Sequence, residues 1–322
     1  MICLVHRKPN EKFKSIENVF STLFPFLEKT KKIELPYESR GGLRRLLNII
    51  FLFKSRSSVI HITGHDHYLL WFPFKRSILT IHDVEALKRK KGLKKWVFKK
   101  LWFDLPIKNA TVVTTISEFS KQELLEMQSY QTPIEVIHNP LTIEVHDELK
   151  EFNIDQPRIL QIGTKANKNI LRLVKAVQGI NCTLVIIGDL PNTIKQILKE
   201  SQISYENYFN LTEDEVKHEY LKSDLLAFVS TYEGFGLPII EAQAAGIPVL
   251  TSNCSSMPEV GGEGALLVNP FDVEDIRLGI LKIISDDSLR IKLINQGKKN
   301  IERFDAKMIA KNYQTLYDKI QL

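Results

Sequence analysis

The sequence predicts an α/β fold built of two doubly wound, Rossmann-like domains in tandem that face a cleft. Short apolar, partly β-branched runs alternate with longer amphipathic segments, which is typical of parallel strands joined by helices. This alternation breaks once, over the polar and acidic residues 144–156, and starts again after Pro157. A chain of 322 residues is also long enough for two domains that each bury a core.

The N-terminal domain is predicted to span residues 1–150. Its strands are expected at residues 2–5, 32–35, 59–62, 78–81, 111–114 and 134–137. Amphipathic spacing predicts helices at 16–27 and 43–53, the second with Arg44 and Arg45 on its solvent-exposed side.

The C-terminal domain is predicted to span residues 151–305. Its strands are expected at 159–162, 184–187, 205–209, 225–229, 248–252 and 265–268. Helices are expected at 169–178, 193–200 and 238–245, from residues 273 and 287 onward, and after a capping box of Thr212 and Glu215. One more amphipathic helix is predicted at 306–320.

The stretch after the strand at 225–229 predicts an anion-binding helix terminus. Gly234 and Gly236 indicate a loop, and Pro238 presets the φ angle that the first turn of a helix needs. The amides of about residues 235–240 then have no partner within the helix, and glycine lets a ligand approach the backbone. Such a terminus binds anions, and phosphate above all.

Two carboxylates flank this terminus. Glu241, taken alone, is explained as a favourable charge near the positive end of a helix. Glu233 precedes the helix and stands next to Gly234, so the helix dipole does not explain it. Amides that bind a diphosphate, with carboxylates on both sides that accept hydrogen bonds from hydroxyls, indicate a sugar nucleotide as the ligand.

The segment 233–242, followed by residues 245–250, resembles the signature of the retaining glycosyltransferases of the GT-B fold, family 4 or group 1, in which seven residues separate two glutamates. The resemblance covers nearly the whole chain and is most specific over residues 158–270. It implies that the last helix, residues 306–322, packs back on the N-terminal domain. It also implies retention of the anomeric configuration, without a metal or another cofactor.

The resemblance further implies roles for individual residues. Glu233 would hold sugar hydroxyls and Glu241 the ribose hydroxyls, while Lys168 and the amides of residues 235–237 would stabilise the leaving diphosphate. The predicted catalytic residues are Glu233, Lys168 and His82. The predicted donor-binding residues are Gly163, Thr164, Lys165, Asp189, Leu211, Thr212, Gly234, Phe235, Gly236, Leu237 and Glu241.

A second phosphate site is predicted where the strand at 159–162 ends. Gly163 indicates a turn, and Lys165 and Lys168 lie near a helix start. The segment resembles the family's glycine-arginine loop followed by a lysine: Lys168 matches the lysine, but Thr164 stands at the arginine position. Lysines that are merely solvated at a helix start are the alternative interpretation.

Two further donor-side motifs are less specific. Asp189 follows Gly188 at a strand end, in a turn that is common in the family. Leu211 and Thr212 align with the family's loop for the nucleotide base. A helix cap explains the Thr212 hydroxyl equally well.

The acceptor side is predicted from residues of the N-terminal domain. His82 and Asp83 follow the strand at 78–81 and resemble the family's His-Asp motif. His82 is expected to hydrogen-bond the transferred sugar or the acceptor, and Asp83 either orients this histidine or caps the next segment. Ser117 resembles the first serine of a family segment and is equally an ordinary N-cap. His67 completes the predicted acceptor side.

His61, His65, Asp66 and His67 suggest a metal site, but no Cys or Glu lies in register with them. We expect the cluster to line the acceptor side instead, without a metal.

The loop at residues 6–10 lacks the glycines that family members carry after the first strand. Whether its backbone contacts a ligand is therefore left undecided by the sequence.

Positive charge is concentrated in the N-terminal half. Residues 1–150 hold 25 Lys and Arg against 16 Asp and Glu, or +9, and the remainder holds 19 against 22, or −3, which gives the total of +6. Residues 88–102 combine a run of lysines with aromatic residues at helical spacing. A basic amphipathic helix of this kind suits anionic lipid headgroups. The alternative is a helix whose aromatics pack on the core, and nucleic acid is not expected as a partner.

The cysteines and the lengths of the apolar runs indicate the cellular compartment. Cys3, Cys182 and Cys254 are widely spaced, which is typical of reduced thiols. No apolar run approaches the roughly eighteen residues of a membrane span, and the first apolar stretch is too short for a signal peptide. We expect a cytoplasmic protein, with peripheral attachment to the inner face of the membrane through residues 88–102.

The resulting prediction is a glycosyltransferase that moves a hexose-type sugar from a UDP- or GDP-linked donor to a hydroxyl of a saccharide or lipid-linked acceptor, in bacterial surface glycan synthesis. A sugar-nucleotide epimerase of the same fold is one alternative. A second is an inactive sugar-nucleotide-binding subunit, suggested by the missing arginine and the missing glycine loop.

Overall fold

The computed structural model describes residues 1–8, 15–54, 59–143 and 151–321, without the side chains of residues 15 and 16. It divides into two compact units, Met1–Pro140 with Phe304–Leu322, and Leu141–Arg303. The boundary predicted from the sequence, after residue 150, lies later in the chain. The predicted linker at 144–156 and the loop at 6–10 fall partly outside the described residues.

Strands and helices alternate through both units, as the apolar runs predict. The first unit contains β1 (Ile2–His6), α1 (Ser15–Leu23), β2 (Thr30–Glu34), α2 (Gly42–Phe53), β3 (Val59–Ile62), β4 (Ser77–Ile81), α3 (Glu85–Lys88), α4 (Gly92–Lys99), α5 (Leu105–Asn109), β5 (Val112–Thr115), α6 (Glu118–Met127) and β6 (Ile134–Val136). The second unit contains β7 (Arg158–Ile162), α7 (Ile170–Val177), β8 (Thr183–Ile187), α8 (Asn192–Glu200), β9 (Ser204–Tyr208), α9 (Glu213–Lys222), β10 (Leu225–Phe228), α10 (Leu237–Ala244), β11 (Val249–Ser252), α11 (Met257–Gly261), β12 (Ala265–Val268), α12 (Val273–Ser285) and α13 (Asp287–Ile301). Helix α14 (Ala306–Gln321) belongs to the first unit. Each predicted strand overlaps an observed one, whereas α3, α5 and α11 are too short to leave a periodic signal.

Each unit is built on a six-stranded parallel sheet. The first has the strand order β2, β1, β3, β4, β5, β6, and the second β12, β11, β10, β7, β8, β9. In the second sheet the chain runs outward from β7 through β8 and β9, then returns to the other side of β7 as β10. Ligands of such sheets bind at the carboxyl ends of the strands, where this order reverses. That place is between β7 and β10 in the second unit, and between β1 and β3 in the first.

Helix α2 buries a different face from the one its pattern suggests. Asn48 and Leu52 lie in the core, and Arg45 packs beside them with its guanidinium carbon 4.7 Å from the centre of the Trp102 ring. The prediction that Arg45 faces solvent is wrong, because an aromatic ring covers the cation and attracts it. Arg44 is exposed, as predicted.

The lysine-rich segment 88–102 is not one helix. Helix α4 is separate from α3 and runs into a π-helical turn at Lys100–Asp104. Phe98 stacks on Trp102 with ring centres 5.4 Å apart, and both pack against the core of the first unit. Trp96 is 59% exposed. The predicted apolar side is therefore split between the core and the surface.

Cys3 and Cys182 are buried, Cys254 is half-buried, and all three are free thiols, as predicted. Of the helices in the described ranges, none combines the length and the apolar character that crossing a membrane requires.

Helix α14 docks on the first sheet through a buried polar seam. Nδ1 of His61, in β3, lies 2.7 Å from the Tyr317 hydroxyl of α14, and its Nε2 lies 2.7 Å from the Thr80 hydroxyl. The Thr80 hydroxyl lies 2.7 Å from that of Thr114. Both ring nitrogens thus have partners, and the side chain is fully buried. The prediction that His61 lines the acceptor side is wrong, because its ring is enclosed between the sheet and α14.

We expect the first unit to lose stability as the pH falls from about 6.5 to about 4. Burial, the largest cause, lowers the pKa of His61 and His67 to about 3, and that of His6 and His82 to about 4. The unfolded chain therefore binds protons that the folded unit does not bind. Each such histidine removes about 1.4 kcal/mol of unfolding free energy per pH unit in this range. Urea unfolding followed by tryptophan fluorescence measures this unit, which contains all three tryptophans.

A pair of variants separates this effect from general acid denaturation. His61→Gln should reduce the pH dependence of unfolding by about the contribution of one histidine. His218→Gln, at an exposed position of α9 in the second unit, should leave it unchanged. An unfolding free energy that is constant or rises between pH 6.5 and 4 would contradict the expectation.

Candidate donor site in the second unit

The carboxyl ends of β7 and β10 carry most of the predicted donor-site residues. These neighbouring strands are parallel, so their carboxyl ends meet at the same edge of the sheet. The loop 163–169 follows β7, and the loop 229–236 follows β10. The two phosphate-binding segments predicted from the sequence therefore lie side by side where the strand order reverses.

Lys168 and Glu233 form an ion pair between these loops. Nζ of Lys168 lies 2.8 Å from Oε1 of Glu233, and only 17% and 13% of the two side chains are exposed. The ammonium group also lies 4.5 Å from the centre of the Phe228 ring. Lys168 is therefore held in place rather than solvated at a helix start. The structure brings together the two catalytic residues that were predicted in the C-terminal half.

Gly163 lets the stem of Lys168 pass close to the backbone. Its φ of +86° lies in the left-handed region, which favours glycine. A Cβ atom there would lie 2.9 Å from Cε of Lys168. Any side chain at this position would displace the lysine from its partner.

Asn167 joins the two loops and was not predicted. Its carbonyl oxygen accepts a hydrogen bond of 2.8 Å from the amide of Thr231. Its Nδ2 donates to the carbonyl oxygen of Tyr232 at 3.0 Å and to Oε1 of Glu233 at 3.3 Å. The carboxylate of Glu233 is thus oriented by Lys168 and Asn167 together.

Two serines hold the glycine loop from the other side. The amide of Glu233 donates to Oγ of Ser255 at 3.2 Å, and Oγ of Ser256 donates to the carbonyl oxygen of Phe235 at 2.7 Å. Both serines follow β11, which ends at the same edge of the sheet as β10. A search for polar residues just beyond each strand could have found them.

Asn169 fixes the path of the chain into α7. It is buried and has a φ of 59°, in a region that asparagine tolerates better than most residues do. Its Nδ2 donates to the carbonyl oxygens of Val229 and Pro270 at 2.9 and 2.6 Å, and its Oδ1 accepts from Arg172 at 2.9 Å. One side chain thereby ties the lysine loop to the end of β10.

Helix α10 begins one residue earlier than predicted, at Leu237, after an N-cap at Gly236 with a φ of 109°. No side chain caps this terminus. Pro238 has no amide hydrogen, and the amide of Ile239 donates to the carbonyl oxygen of Gly236 at 2.9 Å. The predicted set of amide donors at 235–240 is therefore too large. An anion at this terminus would meet amides that precede Pro238, among them those of Gly236 and Leu237.

Glu241 lies in the second turn of α10, because the helix begins at Leu237. Its Oε2 accepts a hydrogen bond of 2.7 Å from the Tyr220 hydroxyl, and its Oε1 accepts one of 3.0 Å from the Thr142 hydroxyl. Burial raises the pKa of Glu241, although these two hydrogen bonds act in the opposite direction. Each carboxylate oxygen has a second lone pair, so the group can still accept a hydrogen bond from a ligand.

Thr164 bridges two loops and carries no charge. Its hydroxyl donates to the carbonyl oxygen of Asp189 at 2.6 Å. Gly188 has a φ of +140°, and a Cβ atom there would lie 3.0 Å from Cγ2 of Thr164. Lys165 and the side chain of Asp189 are exposed. The position that resembles the family's arginine thus serves to join the ends of β7 and β8.

The predicted capping box before α9 is confirmed. The Thr212 hydroxyl accepts a hydrogen bond from the Glu215 amide at 3.3 Å, and a carboxylate oxygen of Glu215 accepts one from the Thr212 amide at 2.7 Å. The helix cap therefore explains the Thr212 hydroxyl. The expected contact of Leu211 and Thr212 with a nucleotide base stays a prediction.

His82 belongs to the first unit and follows β4. It is buried, and its Nε2 donates to the carbonyl oxygen of Thr63 at 2.8 Å. Because a carbonyl can only accept, this partner assigns the proton to Nε2 and leaves Nδ1 as an acceptor. Burial lowers the pKa to about 4, so the ring is neutral near pH 7. Its predicted contact with a sugar or acceptor stays a prediction.

Asp83 and Ser117 make local hydrogen bonds of the capping type. Oδ1 of Asp83 accepts from the amide of Glu85 at 2.9 Å, and Oγ of Ser117, the N-cap of α6, accepts from the amide of Ser120 at 3.1 Å. Oγ of Ser120 in turn donates to the carbonyl oxygen of His82 at 3.2 Å. Both residues thus shape the segments around His82.

The histidines after β3 differ in how far they are buried. His65 is exposed, whereas Asp66 and His67 are buried. Nδ1 of His67 donates to the carbonyl oxygen of Trp102 at 2.7 Å, and its Nε2 has no hydrogen-bond partner among the described atoms. Within the described ranges, no three His, Cys, Asp or Glu side chains converge as metal ligands would.

Two family models match the chain in succession. "Glycosyltransferase Family 4" matches residues 5–145, and "Glycosyl transferases group 1" matches residues 143–300. Together they span residues 5–300 and contain all the residues described above as the candidate donor site.

Curated relatives match both parts of the chain. An O-antigen chain mannosyltransferase B of Escherichia coli is 27% identical over 273 residues, which is 76% of this chain and 70% of that protein. An N-acetyl-alpha-D-glucosaminyl L-malate synthase of Bacillus anthracis is 24% identical over 229 residues, which is 66% of this chain and 60% of that protein. The second match thus spans less than two thirds of its relative.

Solved structures share the fold over the whole chain. A sucrose-phosphate synthase from Thermosynechococcus elongatus superposes with a TM-score of 0.79 at 18% identity, covering 99% of this chain and 98% of its own. WaaG, a glycosyltransferase involved in lipopolysaccharide biosynthesis, gives a TM-score of 0.73 at 14% identity, covering 98% and 99%. The two parallel sheets with flanking helices are those of the GT-B glycosyltransferase fold.

We expect Asn169→Ala to lower the free energy of unfolding of the second unit by about 2–4 kcal/mol. The substitution leaves the buried carbonyl oxygens of Val229 and Pro270 without this donor. The free-energy cost of burying these oxygens without a hydrogen bond decides the size of the effect. Thermal unfolding followed by far-ultraviolet circular dichroism measures it.

Asn169→Gly separates hydrogen bonding from backbone strain. Glycine adopts the left-handed conformation without cost, so this variant should recover only about 1 kcal/mol relative to alanine. Recovery of wild-type stability in the glycine variant would show that the side-chain hydrogen bonds contribute little.

Proposed function

Because this chain belongs to the group 1 glycosyltransferases, within glycosyltransferase family 4, we propose that it transfers a hexose-type sugar from a nucleoside diphosphate donor to a hydroxyl group. The acceptor class is a saccharide or a lipid-linked saccharide of a surface glycan, as the names of the mannosyltransferase and lipopolysaccharide relatives suggest. Residues 88–102 remain predicted to approach an anionic membrane surface.

The Lys168–Glu233 ion pair is the observation that carries this proposal. It places one cation and one hydrogen-bond acceptor 2.8 Å apart at the point where the strand order reverses. A diphosphate needs the cation, and the hydroxyls of a sugar need the carboxylate. A sugar nucleotide can use both groups together with the uncapped start of α10.

Lys168 is proposed to stabilise the charge that develops on the leaving diphosphate. An ammonium group has three donors, so Lys168 can keep its hydrogen bond to Glu233 while another donor meets a phosphate oxygen. The amides of Gly236 and Leu237 would meet the same diphosphate. Groups that are already held in place before the reaction need little reorganisation, and stabilisation of this type usually contributes most to the rate enhancement of an enzyme.

Glu233 and Glu241 are proposed to hold opposite ends of the donor. Glu233, oriented by Lys168 and Asn167, would accept hydrogen bonds from sugar hydroxyls. Glu241 would accept them from the ribose, beside the Tyr220 hydroxyl. Neither glutamate is assigned the role of nucleophile or acid that paired carboxylates have in hydrolases.

Retention of the anomeric configuration and independence of a metal are part of the same proposal. Both come from the family resemblance. The cation of Lys168 and the amides at the start of α10 support the second, because they could neutralise a diphosphate without a metal. Proton resonances of the anomeric position in the product distinguish retention from inversion. His82, neutral and with Nδ1 as an acceptor, is proposed to contact the sugar or the acceptor.

We expect Lys168→Ala and Glu233→Gln each to lower kcat by about a hundredfold or more. Each removes a group that is proposed to act on the donor in the transition state. A thermal-shift screen of UDP- and GDP-sugars first identifies the donor, since a ligand at a hundred times its Kd stabilises by about 2.7 kcal/mol. Transfer is then measured as nucleoside diphosphate release with an acceptor present.

Exposed residues of the second unit provide the matched controls. Lys195→Ala and Glu200→Gln, both in α8, should keep wild-type rates. Wild-type kcat in a folded Lys168→Ala variant would exclude the proposed role. Accumulation of an epimerised donor without any acceptor would favour an epimerase instead.

We expect Glu241→Gln to weaken donor binding by about tenfold or more. The neutral amide is a poorer acceptor for ribose hydroxyls and sets an N–H group against the Tyr220 hydroxyl. The Kd of the identified nucleotide sugar, measured by calorimetry, tests this. Glu200→Gln, which removes an exposed carboxylate of α8, is the control, and an unchanged Kd in Glu241→Gln would remove Glu241 from the donor site.

A further inference from the structure

The Glu241 carboxylate is held by two hydroxyl groups that come from outside its own helix. The Tyr220 hydroxyl, in α9, donates to Oε2 at 2.7 Å, and the Thr142 hydroxyl donates to Oε1 at 3.0 Å. Among the described residues these two are the only hydrogen-bond donors to the carboxylate. Each carboxylate oxygen therefore has one partner and one further lone pair.

Tyr220 presents its hydroxyl to Glu241 from inside the core. Its side chain is fully buried, and burial, followed by the charge of Glu241, raises the pKa of Tyr220 well above its ordinary value. The hydroxyl thus keeps its proton near neutral pH and donates it to the carboxylate. A tyrosine that only fills the core is the alternative interpretation, and it predicts no effect of the hydroxyl on donor binding.

The two hydroxyls act against the cost of burying a charge. Burial raises the pKa of Glu241, whereas the Tyr220 hydroxyl, the Thr142 hydroxyl and the Lys168 ammonium lower it, in that order. Glu213, at the start of α9, raises it, and α10 carries no other titratable group. Without the two hydroxyls, Glu241 would bind a proton more readily. A protonated carboxyl group presents a donor where a ribose hydroxyl needs an acceptor.

We propose that Tyr220 and Thr142 are positioning residues of the donor site. They keep the Glu241 carboxylate ionised and hold both of its oxygens in place, so that the remaining lone pairs meet two neighbouring hydroxyls of the ribose. Neither Tyr220 nor Thr142 is assigned a contact with the donor. This inference rests on the proposed function, in which Glu241 accepts hydrogen bonds from the ribose.

Tyr220→Phe removes the hydroxyl and keeps the ring. We expect the Kd of UDP or GDP, whichever the wild type binds, to rise about fivefold near pH 8, because one hydrogen bond to a charged group is lost. The ratio of the variant Kd to the wild-type Kd should grow as the pH falls to about 6. The pKa of Glu241 is higher in the variant, so the carboxylate is lost at a higher pH. Calorimetry across this pH range measures the ratio.

Sugar transfer gives a second readout. The KM for the nucleotide sugar that the thermal-shift screen identifies should rise in Tyr220→Phe by about as much as the Kd, whereas kcat should change by less than about twofold. The ribose is held alike in the ground state and in the transition state, so weaker binding of the ribose does not raise the barrier of the bound complex. A variant whose kcat falls while its KM stays constant would contradict the proposed role.

Variants at matched positions separate the hydroxyls from the packing. Thr142→Val should change the Kd in the same direction as Tyr220→Phe, and Thr142→Ser, which keeps a hydroxyl, should retain the wild-type Kd. Tyr208→Phe removes a hydroxyl that donates to Oε2 of Glu206 at 2.7 Å, in a pair of the same kind within the second unit. It should leave the Kd unchanged at each pH. Thermal unfolding followed by circular dichroism checks that each variant is folded.

Combination with Glu241→Gln shows whether Tyr220 acts through Glu241. In that background Tyr220→Phe should change the Kd by less than about twofold and should not alter its pH dependence, because the carboxylate is already absent. An equal effect of Tyr220→Phe in both backgrounds would overturn the proposal.

The titration of Glu241 in the protein without nucleotide distinguishes this proposal from the proposed function. NMR of protein labelled at the glutamate carboxyl carbon, with the resonance assigned through Glu241→Gln, should show a higher pKa of Glu241 in Tyr220→Phe than in the wild type or in Tyr208→Phe. An unchanged titration would overturn the proposal even if the protein transfers sugar. Failure of the wild type to bind either nucleotide would count against the proposed function, and the titration would then decide whether the two hydroxyls hold the carboxylate.

Discussion

The ion pair between Lys168 and Glu233 is the interaction on which the second unit's edge depends. A half-buried pair stabilises only when further hydrogen bonds satisfy its members, since removing charges from water is costly. Here Asn167 supplies a donor to the carboxylate, and the Phe228 ring lies beside the ammonium. The loops after β7 and β10 therefore have one mutual arrangement.

This arrangement constrains residues that never touch a ligand. Gly163 must lack a side chain because Lys168 crosses it, and Asn169 must adopt a left-handed conformation to reach Val229 and Pro270. Ser256 anchors the glycine loop from β11. Supporting contacts of this kind hold the residues of a functional site in a fixed geometry. Thr164 adds no charge, so neutralisation of a diphosphate would rest on Lys168 and the start of α10.

In the first unit several polar side chains are buried and several large apolar side chains are exposed, which is the reverse of the usual distribution. Its histidines at β3 and β4 are buried, and His61 joins the sheet to α14 through hydrogen bonds that leave no ring nitrogen unsatisfied. At the same time, α2 and α4 expose large apolar side chains to solvent. Buried polar groups are stable only when paired, and exposed apolar faces of this extent mark a surface for interaction.

The sequence by itself determined the order of the strands along the chain, the α/β class and the glutamates and lysine of the candidate donor site. These follow from local signals: apolar runs, turn residues and a motif whose members are near one another in the chain. Tertiary structure alone decided that His61 belongs to the core, that Arg45 lies against an aromatic ring, and that Asn167 and Asn169 join two loops. The partners that decide these positions are distant in sequence, as the 256 residues between His61 and Tyr317 illustrate. No local pattern encodes such contacts, because they exist only once the sheets have formed.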